Sequence, residues 1–144
     1  MAQYNVKVGW DNDTTREHYS WTLENGTEIV GVNRVNPAEG VHFLDPEEAF
    51  VASLSSCHLL SFLATAAKAG FQVVRYEDNA IGVLDKNENA RIAVTRVLLQ
   101  PMVIFGPERK PTPEELRQLH ERANRDCFIA NSVRTRIDIE PRVA

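Results

Sequence analysis

Apolar and polar positions alternate with a period of two in the first part of the chain and again beyond residue 73, with a long apolar run between them. Tyr4–Trp10 alternates as a strand does. His18–Leu23 and Thr27–Val32 flank Asn25-Gly26, the strongest short hairpin signal. The stretch 33–44, with Pro37 and Gly40, reads as a loop. Asp45 then has the chemistry of an N-cap, Pro46 suits the first helical position, and Glu47 and Glu48 favour the positive end of the helix. Gly70 closes that helix as a C′ residue. Val73–Leu84 and Ala90–Phe105 predict two strands around the turn 85–89, with Ile92, Val94, Val97, Leu98 and Leu99 supplying the aliphatic content of a half-buried sheet. Thr112-Pro113-Glu114-Glu115 starts a second helix by the same capping logic, and its apolar residues Leu116, Leu119 and Ala123 fall three and four apart. Val133–Ile139 alternates again as a final strand before Pro141. Three strands, a helix, two strands, a helix and a strand make an α+β fold. With no repeat, linker or low-complexity segment, residues 1–144 are expected to form one domain.

The apolar run changes this picture most. Residues 49–67 hold no Asp, Glu, Lys or Arg, a length close to a membrane span. Yet Ser53, Ser55, Ser56, His58, Ser61 and Thr65 are scattered through it, and the Pro-Glu-Glu start is that of a soluble helix. A buried helix is expected, with no membrane role. A helix apolar on nearly every face must be covered all round. A chain of 144 residues has little else to cover it with, and so a homodimer is expected. The net charge of −4 argues against a nucleic-acid surface. No charged segment followed by a short apolar run opens the sequence, so a cytoplasmic protein is expected. A lasting structural disulfide is not expected in that reducing compartment.

Against that background the two cysteines stand out. Cys57 lies in the middle of the apolar run, in SLSSCHLL; Cys127 follows a charged helical stretch and opens CFIANSV. Seventy residues apart, they form no local CxxC motif. They are a structural disulfide, two inert core thiols, or a peroxidatic and a resolving thiol. His58, beside Cys57, is not its partner in a dyad, because adjacent helical positions point about 100° apart; a satisfied core or interface histidine is expected there. Four histidines and two cysteines never fall into zinc-like spacing, and no GxGxxG or GxxxxGK[ST] motif is present, so no metal or nucleotide cofactor is expected.

The segment DPEEAFVASLSSC, with Cys57 ten residues after Glu47, resembles the NPE…AA…AC signature of the OsmC/Ohr family of organic hydroperoxide reductases. CFIANSV resembles that family's second cysteine segment, and the strand order and long apolar helix agree. The resemblance is closest to OsmC-like proteins with an R-x-H motif near the N-terminus, here Arg16-Glu17-His18. It implies antiparallel sheets around a long central helix in an intertwined homodimer, with active sites at the subunit interface. It implies that Cys57 attacks the peroxide, that an arginine held by Glu47 activates it, and that Cys127 resolves the sulfenic acid. Arg16 fits the arginine by its place after the first strand, and Arg34, in the loop before the helix, is its rival. The substrate would be an organic hydroperoxide and the reductant a dithiol, of dihydrolipoyl type by family resemblance.

Physical chemistry independently asks for that arginine. Only the thiolate attacks a peroxide, and a cysteine near pKa 8.5 is mostly protonated at neutral pH. Cys57 sits about three turns into its helix, beyond useful reach of the N-terminal dipole. A fixed cation nearby is the remaining device, and guanidinium does not lose its charge. If the helix is straight, Glu47 and Cys57 are about 15 Å apart along it. Either the helix begins after Glu47, or the two meet one arginine from different subunits. Phe50, Leu54, Leu60 and Phe62 are expected to form an apolar pocket around Cys57. A redox-sensing or small-ligand-binding protein with little turnover is the alternative function on the same scaffold.

Overall fold

The computed structural model describes residues 1–10, 18–32 and 45–144. These fall into two compact units, Met1–Ala49 and Phe50–Ala144. The first holds an antiparallel sheet of β1 (Val6–Gly9), β2 (His18–Leu23) and β3 (Glu28–Val32) in that order. The β2–β3 turn forms where Asn25-Gly26 predicts it. Asn25 Oδ1 accepts from the Thr27 amide at 3.0 Å, and the Leu23 amide donates to the Thr27 carbonyl at 2.8 Å. The expected loop 33–44 lies outside the described residues.

Helix α1 (Pro46–Lys68) runs unbroken for 23 residues. Asp45 caps it, accepting from the Glu48 amide at 2.7 Å. At its far end Phe71 N donates to Ala66 O and Gly70 N to Ala67 O, the paired bonds of a Schellman stop. Gly70 provides the left-handed residue this stop requires, with φ at 82°. Every fourth residue of α1 from Leu54 is buried: Leu54, His58, Phe62 and Ala66.

In the second unit each of the two long predicted strands is bent into two. Val73–Leu84 becomes β4 (Val73–Asp78) and the start of β5 (Ile81–Lys86); Ala90–Phe105 becomes β6 (Ile92–Leu99) and β7 (Pro101–Phe105). The break is chemical. Pro101 has no amide hydrogen to give to a ladder. At the corner the Asp78 carboxylate accepts from the Gln100 amide at 2.6 Å, and the Gln100 side chain donates to the Asn79 carbonyl at 2.9 Å. β4 pairs with β7, and β5 with β6, both antiparallel. β8 (Arg136–Ile139) joins the other edge of β6 in parallel, so one ladder departs from the antiparallel expectation. β8 is also shorter than expected, beginning at Arg136 and not at Val133, after a 3-10 turn at Ala130–Ser132.

Helix α2 (Pro113–Asp126) starts at Thr112 as expected, and the cap is reciprocal: Thr112 accepts from the Glu115 amide, and the Glu115 side chain accepts from the Thr112 amide. Leu119, His120 and Ala123 are its buried residues. Two apolar clusters result. Phe62, Ala66, Phe71, Leu119 and Ala123 form one, and Leu54, Val97 and Leu99 form the other. His58 lies between them on the same stripe of α1. β5 packs so closely on α1 that a Cβ on Gly82 would come within 2.5 Å of a Val51 methyl.

Candidate active site

Cys57 occupies the middle of α1 and is half-buried; Cys127 is the C-cap of α2 and is buried. Cys127 therefore ends the charged helical stretch that precedes it. Both are free thiols, and despite seventy residues of sequence between them their side chains lie within hydrogen-bonding reach. The Cys127 sulfur also accepts from the Ala130 amide at 3.3 Å. Burial above all, and then the hydrogen bond to Cys57, push the Cys127 thiol up to about 11. The Ala130 and Ile129 amides pull in the opposite direction. At neutral pH Cys127 is a protonated thiol held against its partner sulfur.

Of the charged groups assigned by resemblance, Glu47 lies among the described residues. Glu47 is half-buried in the first turn of α1. In the first unit the Tyr19 hydroxyl is buried with no hydrogen-bond partner. Its pKa is raised, first by desolvation and then by the negative charges of Asp45 and Glu47. Arg16 and Arg34 lie outside the described residues. The four apolar residues expected to surround Cys57 differ in burial and in the cluster they join. Leu54 and Phe62 are fully buried in different clusters, and Leu60 is 67% exposed. Phe50 instead lines a cavity of about 690 Å³ with Lys86, Thr95, Val133, Arg134 and Arg136, which neither cysteine lines. Among the described residues no group of three or more His, Cys, Asp or Glu side chains is placed to hold a metal.

Sequence reasoning missed a second contact between the two thiol-bearing helices. His58 Nε2 and His120 Nδ1 are 3.0 Å apart, with both side chains buried. Their rings stack at 5.3 Å, and Phe62 stacks on His120 at 4.4 Å. His58 Nδ1 and His120 Nε2 are buried with no partner, so His58 is a core histidine as expected but only half satisfied. Burial holds His58 down at about 4, opposed by the Asp78 carboxylate, and holds His120 at about 3, with His58 adding to the effect. Asp78 in turn accepts from Ser55 Oγ at 2.5 Å. The available signal was spacing: His120 precedes Cys127 by two helical turns, and His58 follows Cys57 directly.

The OsmC-like protein family matches residues 39–142. An OsmC-like protein of unknown function from Vibrio cholerae is 38% identical, the alignment covering 99% of this chain and 100% of that one at a TM-score of 0.91. Two organic hydroperoxide resistance proteins share the fold alone. The one from Elizabethkingia anophelis is 19% identical over 100% of this chain and 96% of that one, with a TM-score of 0.73. OhrB of Bacillus subtilis is 16% identical over 99% and 98%, with a TM-score of 0.72. No significant match is found among curated protein sequences. On the family match and the Vibrio cholerae relative together, the chain belongs to the OsmC-like protein family.

Proposed function

We propose that the protein is a thiol-dependent peroxidase that reduces organic hydroperoxides to alcohols. The observation that carries this reading is the contact of Cys57 with Cys127, two thiols brought together from distant parts of the sequence. Cys57, the more accessible, attacks as thiolate. Its sulfur takes the distal peroxide oxygen, the O–O bond breaks, and the alkoxide leaves as alcohol after gaining a proton. The Cys127 thiol then displaces water from the Cys57 sulfenic acid, forming the disulfide. A dithiol reductant returns both thiols. The hydroperoxide resistance proteins among the structural relatives point to the same chemistry.

Arg16 is the proposed cation beside Cys57, with Arg34 as the control position. Because α1 is unbroken from Pro46, about 15 Å of helix separates Glu47 from Cys57. We therefore assign the glutamate of each site to a second copy of the chain. Apolar surface left open supports a homodimer: Leu60 and Leu63 on α1, and Ile81, Val83 and Leu84 on β5, are all exposed. Sedimentation should find a dimer at micromolar concentration, and a stable monomer there would remove this assignment.

The decisive experiment treats reduced protein with one equivalent of cumene hydroperoxide and measures its mass, beside turnover with a dithiol. Loss of two hydrogens per chain, with sustained consumption of hydroperoxide, is the expected outcome. Oxidation without turnover would favour a redox sensor, and no oxidation at all a ligand-binding role.

A further inference from the structure

The contact between His58 and His120 has no place in the peroxidase chemistry, yet it joins the two helices that carry the thiols. We propose that this pair positions Cys57 and Cys127 for disulfide formation, fixing the register of α1 against α2 and so setting the effective concentration of one thiol at the other. The inference rests on the reading that these two thiols pair in the protein's cycle.

Its basis is where the four residues sit. His58 is bonded to Cys57 through one peptide unit, so any slide of α1 at His58 moves Cys57 with it. On α2, seven residues separate His120 from Cys127, a rotation about 20° short of two full turns, so both face α1. Apart from the thiol contact itself, the imidazole pair is the side-chain hydrogen bond that joins α1 to α2 among the described residues. Apolar contacts in the flanking clusters tolerate a small slide, because they are not directional. A 3.0 Å bond between two stacked rings does not. Disulfide formation needs that discrimination, since the two α-carbons must come within a window of roughly 2 Å.

The chemistry of the pair fits positioning and not proton transfer. Both rings are neutral, and one nitrogen shares its proton with the other. The remaining nitrogen of each is enclosed with nothing to accept from or donate to. An apolar pair of equal size would leave no such groups unsatisfied; what imidazoles add here is direction. Phe62, stacked on His120, closes the contact from the side. In the resolving step the Cys127 proton leaves with the sulfenic oxygen as water, and the histidines neither give nor take a proton.

The test measures the Cys57–Cys127 thiol–disulfide equilibrium of the full-length protein against glutathione buffers, beside the unfolding of the reduced form. His58→Leu and His120→Leu keep bulk and delete the bond; His58→Gln and His120→Asn place an amide nitrogen or oxygen where the bonded ring nitrogen was. The Leu variants should lower the effective concentration at least about tenfold, equivalent to about 30 mV. The Gln and Asn variants should stay within about threefold of the parent, by the same conversion of about 30 mV per decade. Val103→Ala, a packing deletion against the same core, should lower stability and leave the equilibrium unmoved. The inference is overturned if the Leu variants shift only unfolding, or if folded His120→Asn falls as far as His120→Leu. It is also overturned if the parent forms no intramolecular disulfide. If the equilibrium shifts as expected while the parent consumes no hydroperoxide, the peroxidase reading fails and the positioning role stands.

Discussion

Helices α1 and α2 touch through two pairs of titratable side chains, sulfur on sulfur and imidazole on imidazole, and burial acts on them in opposite senses. It raises the Cys127 thiol to about 11 and lowers His58 and His120 to about 4 and 3. The result is the same: near neutral pH every buried member is uncharged, as a low-dielectric interface demands. The difference lies in what each contact is open to. Cys57 is half-buried and accessible to a reactant, whereas both imidazoles are buried, with Phe62 stacked on His120. One contact can change covalently and the other can only hold.

Breaking the sulfur contact should give the largest effect. Cys57→Ser should abolish turnover and leave no oxidation product. Cys127→Ser should permit the first step, so that Cys57 accumulates as sulfenic acid and overoxidises more readily. Dimedone labelling read by mass spectrometry separates these outcomes. Labelling of Cys127 in preference to Cys57 in the parent would reverse the roles, and a disulfide between chains would refute resolution within one chain.

The two contacts should also fail at opposite ends of the pH scale. The histidines' folded values lie below the ordinary 6.5, so the unfolded chain takes up protons first as pH falls. Their contribution is complete above about 6.5 and declines below it, His58 losing on the order of 3 kcal/mol by about pH 4 and His120 continuing to about pH 3. Cys127 has a folded value above the ordinary thiol range, so its contribution is complete below about 9 and declines as pH rises toward about 11, by roughly 2–3 kcal/mol. Urea unfolding of the reduced protein at a series of pH values should show both limbs. His58→Gln should flatten the acid limb and Cys127→Ser the alkaline one. A single variant that flattened both would show that the contacts are not separable.

Sequence pattern exposed one contact and hid the other, and the reason is physical. Local rules wrote the capping residues: Asp45, Gly70 and Thr112 act where their chemistry placed them. Motif resemblance singled out Cys57 and Cys127 together, and their side chains are within hydrogen-bonding reach of each other. The histidine pair depends on how α1 crosses α2, which no local pattern encodes, so His120 looked like one more polar residue on a charged helix. The same limit hid the bend at Gln100, where Asp78 replaces a missing ladder bond from across the corner. Phe50, Leu54, Leu60 and Phe62 are likewise neighbours in sequence, but Phe50 packs with Leu54 in one cluster, Phe62 belongs to the other, and Leu60 is exposed.

The finest distinction between the contacts is the single carboxylate that bears on one of them. Asp78 raises His58 against the larger lowering by burial, while accepting hydrogen bonds from Ser55 and from the Gln100 amide. Asp78→Asn keeps the shape of the corner. The amide oxygen can still accept from Gln100 N, and the amide nitrogen can donate to Ser55 Oγ once that hydroxyl turns. What is lost is the charge. His58 should therefore titrate lower still, by a few tenths of a pH unit in NMR of its ring protons. The acid limb of stability should extend slightly further down, and the Cys127 limb should not move. A rise in the His58 value would mean that the corner had collapsed and water had reached the imidazoles. The thiol–disulfide equilibrium would then be expected to weaken with it, tying the Asp78 corner to the same register of α1 on α2.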